Sequence, residues 1–401
     1  MGNGFWPGRK TILQCHRSPV RKPAMGRPAF VVFATLSCMD KPFSLYLDLA
    51  RFTAASLVVL SHFVQQGIIG HSGASATNPL LHSGREAVIV FFVLSGFVIA
   101  HTTTASHTSA RDYVVARCAR IYSVAAPVLL LTFLLAYLCT RFAGLELANS
   151  YQLAKPQLYL PLHLLFMGEL WHVVETPPWL LQYWSLGYEV WYYVLFGLAF
   201  YLRGVRRAVA LALVLLVMGP KLWLLLPVWL AGVALLRWGR DWPGQRWQAR
   251  AGMAATLVAL GLYKISGADL FLRDLGIGLW PFPSFKLGSA DRYLADYAVA
   301  ILVVLHFQCA RHAGLVQLAA IALPVRALAA YTFTLYLVHG PVMGMWQLFY
   351  RSQGARALDA VLLGLCIAGA TFACGVVTER RRERFKQLFN CLYLHTARRF
   401  A

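Results

Sequence analysis

Apolar runs long enough to cross a bilayer recur from about residue 43 to about residue 377, and no other feature constrains this chain as much. Roughly 20 consecutive apolar residues span the hydrocarbon core as a helix. Inside that core every backbone N–H and C=O must be satisfied by the chain itself, so only helices and closed barrels can cross. The runs here are continuous rather than alternating, which reads as helix. Ten spans fit the pattern: 44–66, 86–104, 121–140, 183–202, 207–219, 221–238, 250–264, 294–310, 328–349 and 357–377. The expected fold is all-α, a polytopic integral membrane bundle of about ten transmembrane helices. No internal repeat is visible, and no second soluble domain is expected beside the bundle.

Charge fixes the expected orientation. Only 13% of the residues are charged, yet the net charge is +21. That excess does not imply nucleic acid, because Lys and Arg collect in cytoplasmic loops of membrane proteins and no binding module interrupts the helices. An additional apolar piece, 157–171, is short and contains Pro161, His163 and Glu169, so it reads as re-entrant or interfacial. With that piece not crossing and the N-terminus inside, the clusters Arg111/Arg117/Arg120, Arg203/Arg206/Arg207 and Arg237/Arg240/Arg246/Arg250 all fall on the cytoplasmic side. The tail "ERRRERFK" (379–386) falls there too. The expectation is a multi-pass protein of the inner (plasma) membrane with both termini cytoplasmic.

Three parts are distinguished. Residues 1–38 are rich in Gly, Pro, Lys and Arg, lack an acid, and put Trp6 where a myristoylation signal needs Ser or Thr. They read as a disordered basic extension, or as an over-extended gene start with Met39 as the initiator. Residues 39–380 are the membrane domain, and 381–401 a basic cytoplasmic tail. The eight cysteines form no Cys-x-x-Cys pair and no zinc-like cluster, so neither a disulfide framework nor a metal site is expected.

Charged residues within a span are costly, about 2.5–3.5 kcal/mol at the centre on insertion scales, and usually face a cavity or a partner. "ARFTAASLVVLSH" (50–62) brackets an apolar stretch with Arg51 and His62. Residues eleven apart differ by about 20° around a helix and about 16 Å along it, so the two share a face. Asp48, one turn before Arg51, is placed to pair with it. Neutral histidine accepts a proton near pH 7. Ser95 and Gly96 permit close helix approach, and Ser95 reads equally as a packing residue or a reactive one. Arg117 and Arg120 share a face where the chain re-enters the bilayer, and two guanidinium forks there suit phosphates or serve as topology signals. In "WSLGYE" (184–189), Ser185 and Glu189 share a face; in "YLVHGP" (336–341), Tyr336 and His339 lie one turn apart. His101, His163, His172 and His306, at or near span ends, carry no assigned chemistry.

In order along residues 43–380, these elements resemble acyltransferase family 3, a family of integral membrane proteins. The resemblance rests on Arg51-x10-His62, "FFVLSGFVI" (91–99), Arg117-x-x-Arg120-Ile121, Trp184-Ser185-Leu186-x-x-Glu189 and Tyr336-Leu337-x-His339-x-Pro341. Departures are Ser123, where the family usually has proline, and "GREAVIVFF" without the Gly-Val-Asp stretch often ahead of the phenylalanines, although Glu86 stands nearby. The resemblance implies a membrane-bound O-acyltransferase with no bound cofactor. It would move an acyl group, commonly acetyl, from cytoplasmic acyl-CoA to a hydroxyl of a carbohydrate or lipid-linked glycan. His62 would be the general base. Arg51, fixed by Asp48, would orient or charge-stabilise the site, and Glu189 would pair with His62 or Arg51. Arg117 and Arg120 would bind the CoA phosphates. Ser95, Trp184, Ser185, Tyr336 and His339 would be acceptor-side or structural. The alternative is a proton-coupled transporter or flippase using Asp48, His62 and Glu189 as a relay.

Overall fold

The computed structural model describes residues 40–69, 78–105, 108–144, 147, 149–237, 244–350 and 357–399. The expected extension at 1–38 lies outside them. Helix α1 (Lys41–Gln65) carries proline in its first turn, where a missing N–H leaves no bond unmade. Helix α2 (Gly84–Ala105) runs back along it. Phe43 meets Phe97 edge-on at a ring separation of 5.9 Å, while Gly84 at the other end lies against Ser61. Helix α3 (Ala110–Ala143) is capped by Ser109, whose hydroxyl accepts from the Asp112 amide at 3.1 Å.

Two short helices follow, α4 (Tyr151–Ala154) and α5 (Pro156–Leu164). Nine residues advance only about 13 Å, so α5 cannot cross a bilayer. Next come α6 (Tyr183–Tyr201), α7 (Gly204–Met218), α8 (Pro220–Leu235), α9 (Arg246–Ile265), α10 (Ala268–Leu279) and α11 (Tyr293–His312). The chain closes with α12 (Ala322–Ala329), α13 (Thr332–Phe349), α14 (Ala357–Val377) and α15 (Arg382–Arg399). Among the described residues there is no strand.

The protein is an all-helical membrane bundle. Among the described residues, five helices rather than ten are by themselves long and apolar enough to cross, or up to eight if each of three bent pairs is one span. The segments 207–219 and 221–238 read as two spans; they are α7 and α8, 15 and 16 residues long and bent by 118° at Gly219–Pro220. Each reaches about 22–24 Å, short of the roughly 30 Å core. The bend needs Gly219, whose φ of +75° suits a residue without Cβ. The 19-residue α6 is not among the five either, because Tyr, Trp, Ser185 and Glu189 dilute its apolar character.

Helix α2 is the central element, with 67% of its most apolar window buried, against 22% for the stretch containing α14. It crosses α8 at backbone contact. A Cβ on Gly96 would strike the Trp229 carbonyl, and one on Gly232 would meet the Phe97 amide at 3.0 Å. Close approach at Gly96 was legible from the small residues there. Outer faces are apolar, with Leu213, Leu216, Val258, Leu262, Leu365 and Phe372 exposed, as expected of a surface solvated by lipid.

Candidate functional site

A cavity of about 420 Å³ is bounded by α1, α2, α3, α6, α12, α13 and the segment joining α14 to α15. Its lining brings together Asp48, Arg51, Ser95, Arg117, Arg120, Ser185, Glu189 and Tyr336, residues spread over nearly 300 positions of sequence. Arg51 Nη1 lies 3.6 Å from Asp48 Oδ1, the pairing one helical turn allows. Among the described residues it is the one ion pair within this lining.

Glu189 does not bond His62 or Arg51, contrary to expectation. It accepts from Ser95 Oγ at 2.6 Å and from the hydroxyl of Tyr193, one turn further along α6. Trp229 Nε1 in turn donates to Ser95 Oγ at 3.2 Å, across the α2–α8 crossing that Gly96 permits. Ser95 therefore serves a hydrogen-bonded network as well as packing. Arg51 and Arg120 lie within electrostatic reach of Glu189.

The cavity holds more cation than the motifs suggested. Arg326 of α12, with Arg380 and Arg382 beyond α14, joins Arg51, Arg117 and Arg120 in the lining. Against these six stand three acids, Asp48, Glu189 and Glu379. Arg117 lies 5.9 and 6.0 Å from the ring centres of Tyr113 and Tyr193, and its buried Nε has no hydrogen-bond partner. Arg380 rests over Tyr331 at 5.3 Å. Glu379 accepts from Thr334 Oγ1 at 2.8 Å. Arg326, Glu379, Arg380 and Arg382 escaped the sequence reading, since basic residues flanking a span look alike whether they line a cavity or face water.

His62 and His339 are outside this lining, one aromatic layer away. Tyr336 is that layer: its hydroxyl is 2.6 Å from Ser185 Oγ, its ring is packed on Phe91, and its ring centre is 6.1 Å from His339. His339 is fully buried and His62 half-buried. Their rings stack at 5.1 Å with His62 Nδ1 and His339 Nε2 2.9 Å apart. The other nitrogen of His339 is 3.0 Å from the Leu335 carbonyl. A carbonyl only accepts, so His339 Nδ1 carries hydrogen and, in the neutral ring, Nε2 accepts. His62 Nδ1 must then donate, which leaves His62 Nε2 with its lone pair.

Gln182, also absent from the sequence reading, holds this part of α13 in shape. Pro341 has no N–H for the Leu337 carbonyl, and Gln182 Nε2 donates to that oxygen at 3.1 Å and to the Tyr336 carbonyl at 3.0 Å.

An acyltransferase domain model matches residues 44–380. The chain belongs to acyltransferase family 3. No curated protein and no solved structure matches it. This member of the family is a membrane acyltransferase, and its ordered motifs are the ones that converge on the cavity and the histidine pair.

Trp184 departs from the other motif residues of this acyltransferase. It lies neither on the cavity nor beside His62, but under the Arg85 guanidinium at 4.6 Å and edge-on to Tyr188 at 5.4 Å. His163 and His306 are occupied structurally, His163 by Gln152 and His306 by Tyr46 and Thr256.

Proposed function

We propose that this protein transfers an acyl group, acetyl in the first instance, from cytoplasmic acyl-CoA to a hydroxyl of a carbohydrate or lipid-linked glycan of the cell envelope. The observation that carries the reading is the Leu335–His339–His62 relay, because it leaves His62 Nε2 free to take a proton. The anionic end of the donor docks among the cavity arginines, and its acyl end reaches past Tyr336 towards His62. His62 Nε2 removes the proton of the acceptor hydroxyl as that oxygen attacks the thioester carbonyl carbon. The carbon–sulfur bond then breaks, and the proton passes from His62 to the departing thiolate, giving the ester and CoA as its thiol. His339 keeps the correct nitrogen of His62 free and spreads the positive charge that develops on it. Arg51, steadied by Asp48, and Arg117 and Arg120 hold the donor, and the protein sits in the inner membrane with this cavity on the cytoplasmic side.

The test is base-labile acetate on purified surface glycans from a deletion strain complemented with wild type or with His62→Ala. Removing a general base costs on the order of 10²–10⁴ in rate, so the variant should restore essentially no acetate while reaching the membrane in normal amount. Acetate near the wild-type level in the variant strain would reject His62 as the base.

A further inference from the structure

The segment after α14 looks in sequence like a topology signal, a basic stretch that anchors the last span. In the folded chain it is fastened at three places. Glu379 is bonded to Thr334 in the first turn of α13. Phe389 packs on Tyr122 of α3 at 5.8 Å, and Asn390 accepts from Arg111 Nη2 at 3.3 Å. Fastening at both ends selects among the arginines that follow, Arg380, Arg381, Arg382 and Arg384. Arg380 and Arg382 line the cavity, whereas the exposed Arg381 and Arg384 do not.

From this we infer that the arm from Glu379 into α15 is a working wall of the donor site, with Arg380 and Arg382 binding phosphate groups of the acyl-CoA alongside Arg326. The inference rests on the donor reading above. Three physical points support it. The six arginines of the lining exceed its three acids, which leaves cationic charge for an incoming anion. Arginine forks suit phosphate oxygens two at a time. Both side chains are exposed rather than locked in carboxylate pairs, so the ligand meets little competition. A phosphate on a lipid headgroup offers the same chemistry, but the cavity runs inward to Ser185 and Tyr336, which suits a donor with a long arm.

The test measures CoA binding to the purified full-length protein in lipid-free detergent for wild type, Arg380→Ala/Arg382→Ala and Arg381→Ala/Arg384→Ala. Both doubles remove two exposed positive charges from the same arm, so general electrostatics and folding are matched. The inference expects about a tenfold or larger loss of affinity for the first double and wild-type affinity for the second. Equal binding by all three proteins, or equal loss in both doubles, overturns it while leaving the donor reading intact. Wild-type protein that binds no CoA overturns the donor reading, and the inference with it. A parallel titration with short-chain phosphatidylglycerol separates the two sources of phosphate. If the first double loses that ligand and keeps CoA, the arginines serve a headgroup and the inference is wrong.

Discussion

Arginine occurs inside this bundle in two settings. Around the start of α2, five cations (Arg85, Lys221, Lys264, Arg273 and Arg292) face five acids (Glu86, Glu169, Asp269, Asp291 and Asp296), and every one of the ten is in an ion pair. At the other end of the α1–α2 pair, the cavity sets six arginines against three acids with a single ion pair among them. A charge taken out of water needs a compensating partner. The balanced region supplies its own, so its charges shape the fold; Trp184, stacked under Arg85, belongs to that clamp. The cavity is left short of negative charge, and the deficit is what a polyanionic donor would fill.

The comparison breaks most visibly if a balanced pair can be dismantled without harm. Asp296 is nearly fully buried and receives Arg85 through two hydrogen bonds, with Arg85 also donating to the Ser289 carbonyl at 2.7 Å. Asp296→Asn leaves the Arg85 charge buried with its counter-ion gone. Breaking one partner of such a pair costs about 3–5 kcal/mol, so thermal unfolding in detergent should show a large drop. A variant as stable as wild type would mean that the two ends of the bundle do not differ as described.

The opposite behaviour is expected in the cavity. Among the described residues Arg120 makes no ion pair, so Arg120→Gln should lower stability by well under the roughly 3–5 kcal/mol expected for Asp296→Asn. Affinity for CoA should fall by about tenfold or more, the scale of one charge-assisted phosphate contact. Calorimetric unfolding and CoA titration on the same preparation check both halves. Loss of stability with unchanged CoA binding would move Arg120 into the structural class.

How much of this was legible in the sequence follows the same division. Helical periodicity put Asp48 with Arg51 and Ser185 with Glu189 on shared faces, and eight motif residues do meet at one cavity. The partnership of His62 with His339 was not legible, since 277 positions separate them and only the packing of α1 against α13 joins them. Glu189 was misassigned for a similar reason: its hydroxyl donors lie on α2 and on its own helix, while the expected arginine and histidine lie on α1. Hydropathy alone did not fix the span count, because a Gly-Pro bend between two short apolar helices looks the same as a loop between two spans. The cavity role of Arg380 and Arg382 was hidden by their position after a span, where arginine is common for topological reasons alone.

The smallest effect sharpens the comparison most. Glu379 is the acid of the cavity that belongs to the arm, and Arg120 and Arg382 both lie within its electrostatic reach. Its carboxylate partly neutralises arginines that would otherwise meet only the donor. Glu379→Gln keeps an oxygen to accept from Thr334, so the arm stays fastened, while the lining changes from six cations against three anions to six against two. An interaction of this partly exposed kind is worth about 0.2–1 kcal/mol, which corresponds to CoA binding about 1.4- to fivefold tighter. Because the gain comes from unscreened charge, it should shrink as salt is raised and the Debye length falls from about 10 Å at 0.1 M towards 3 Å at 1 M. The affinity ratio of variant to wild type, measured at low and high salt, distinguishes this from a change of shape. A ratio below one would show that the Glu379–Thr334 fastening matters more than the charge, and that the cavity depends on its own acids for form as the balanced region does.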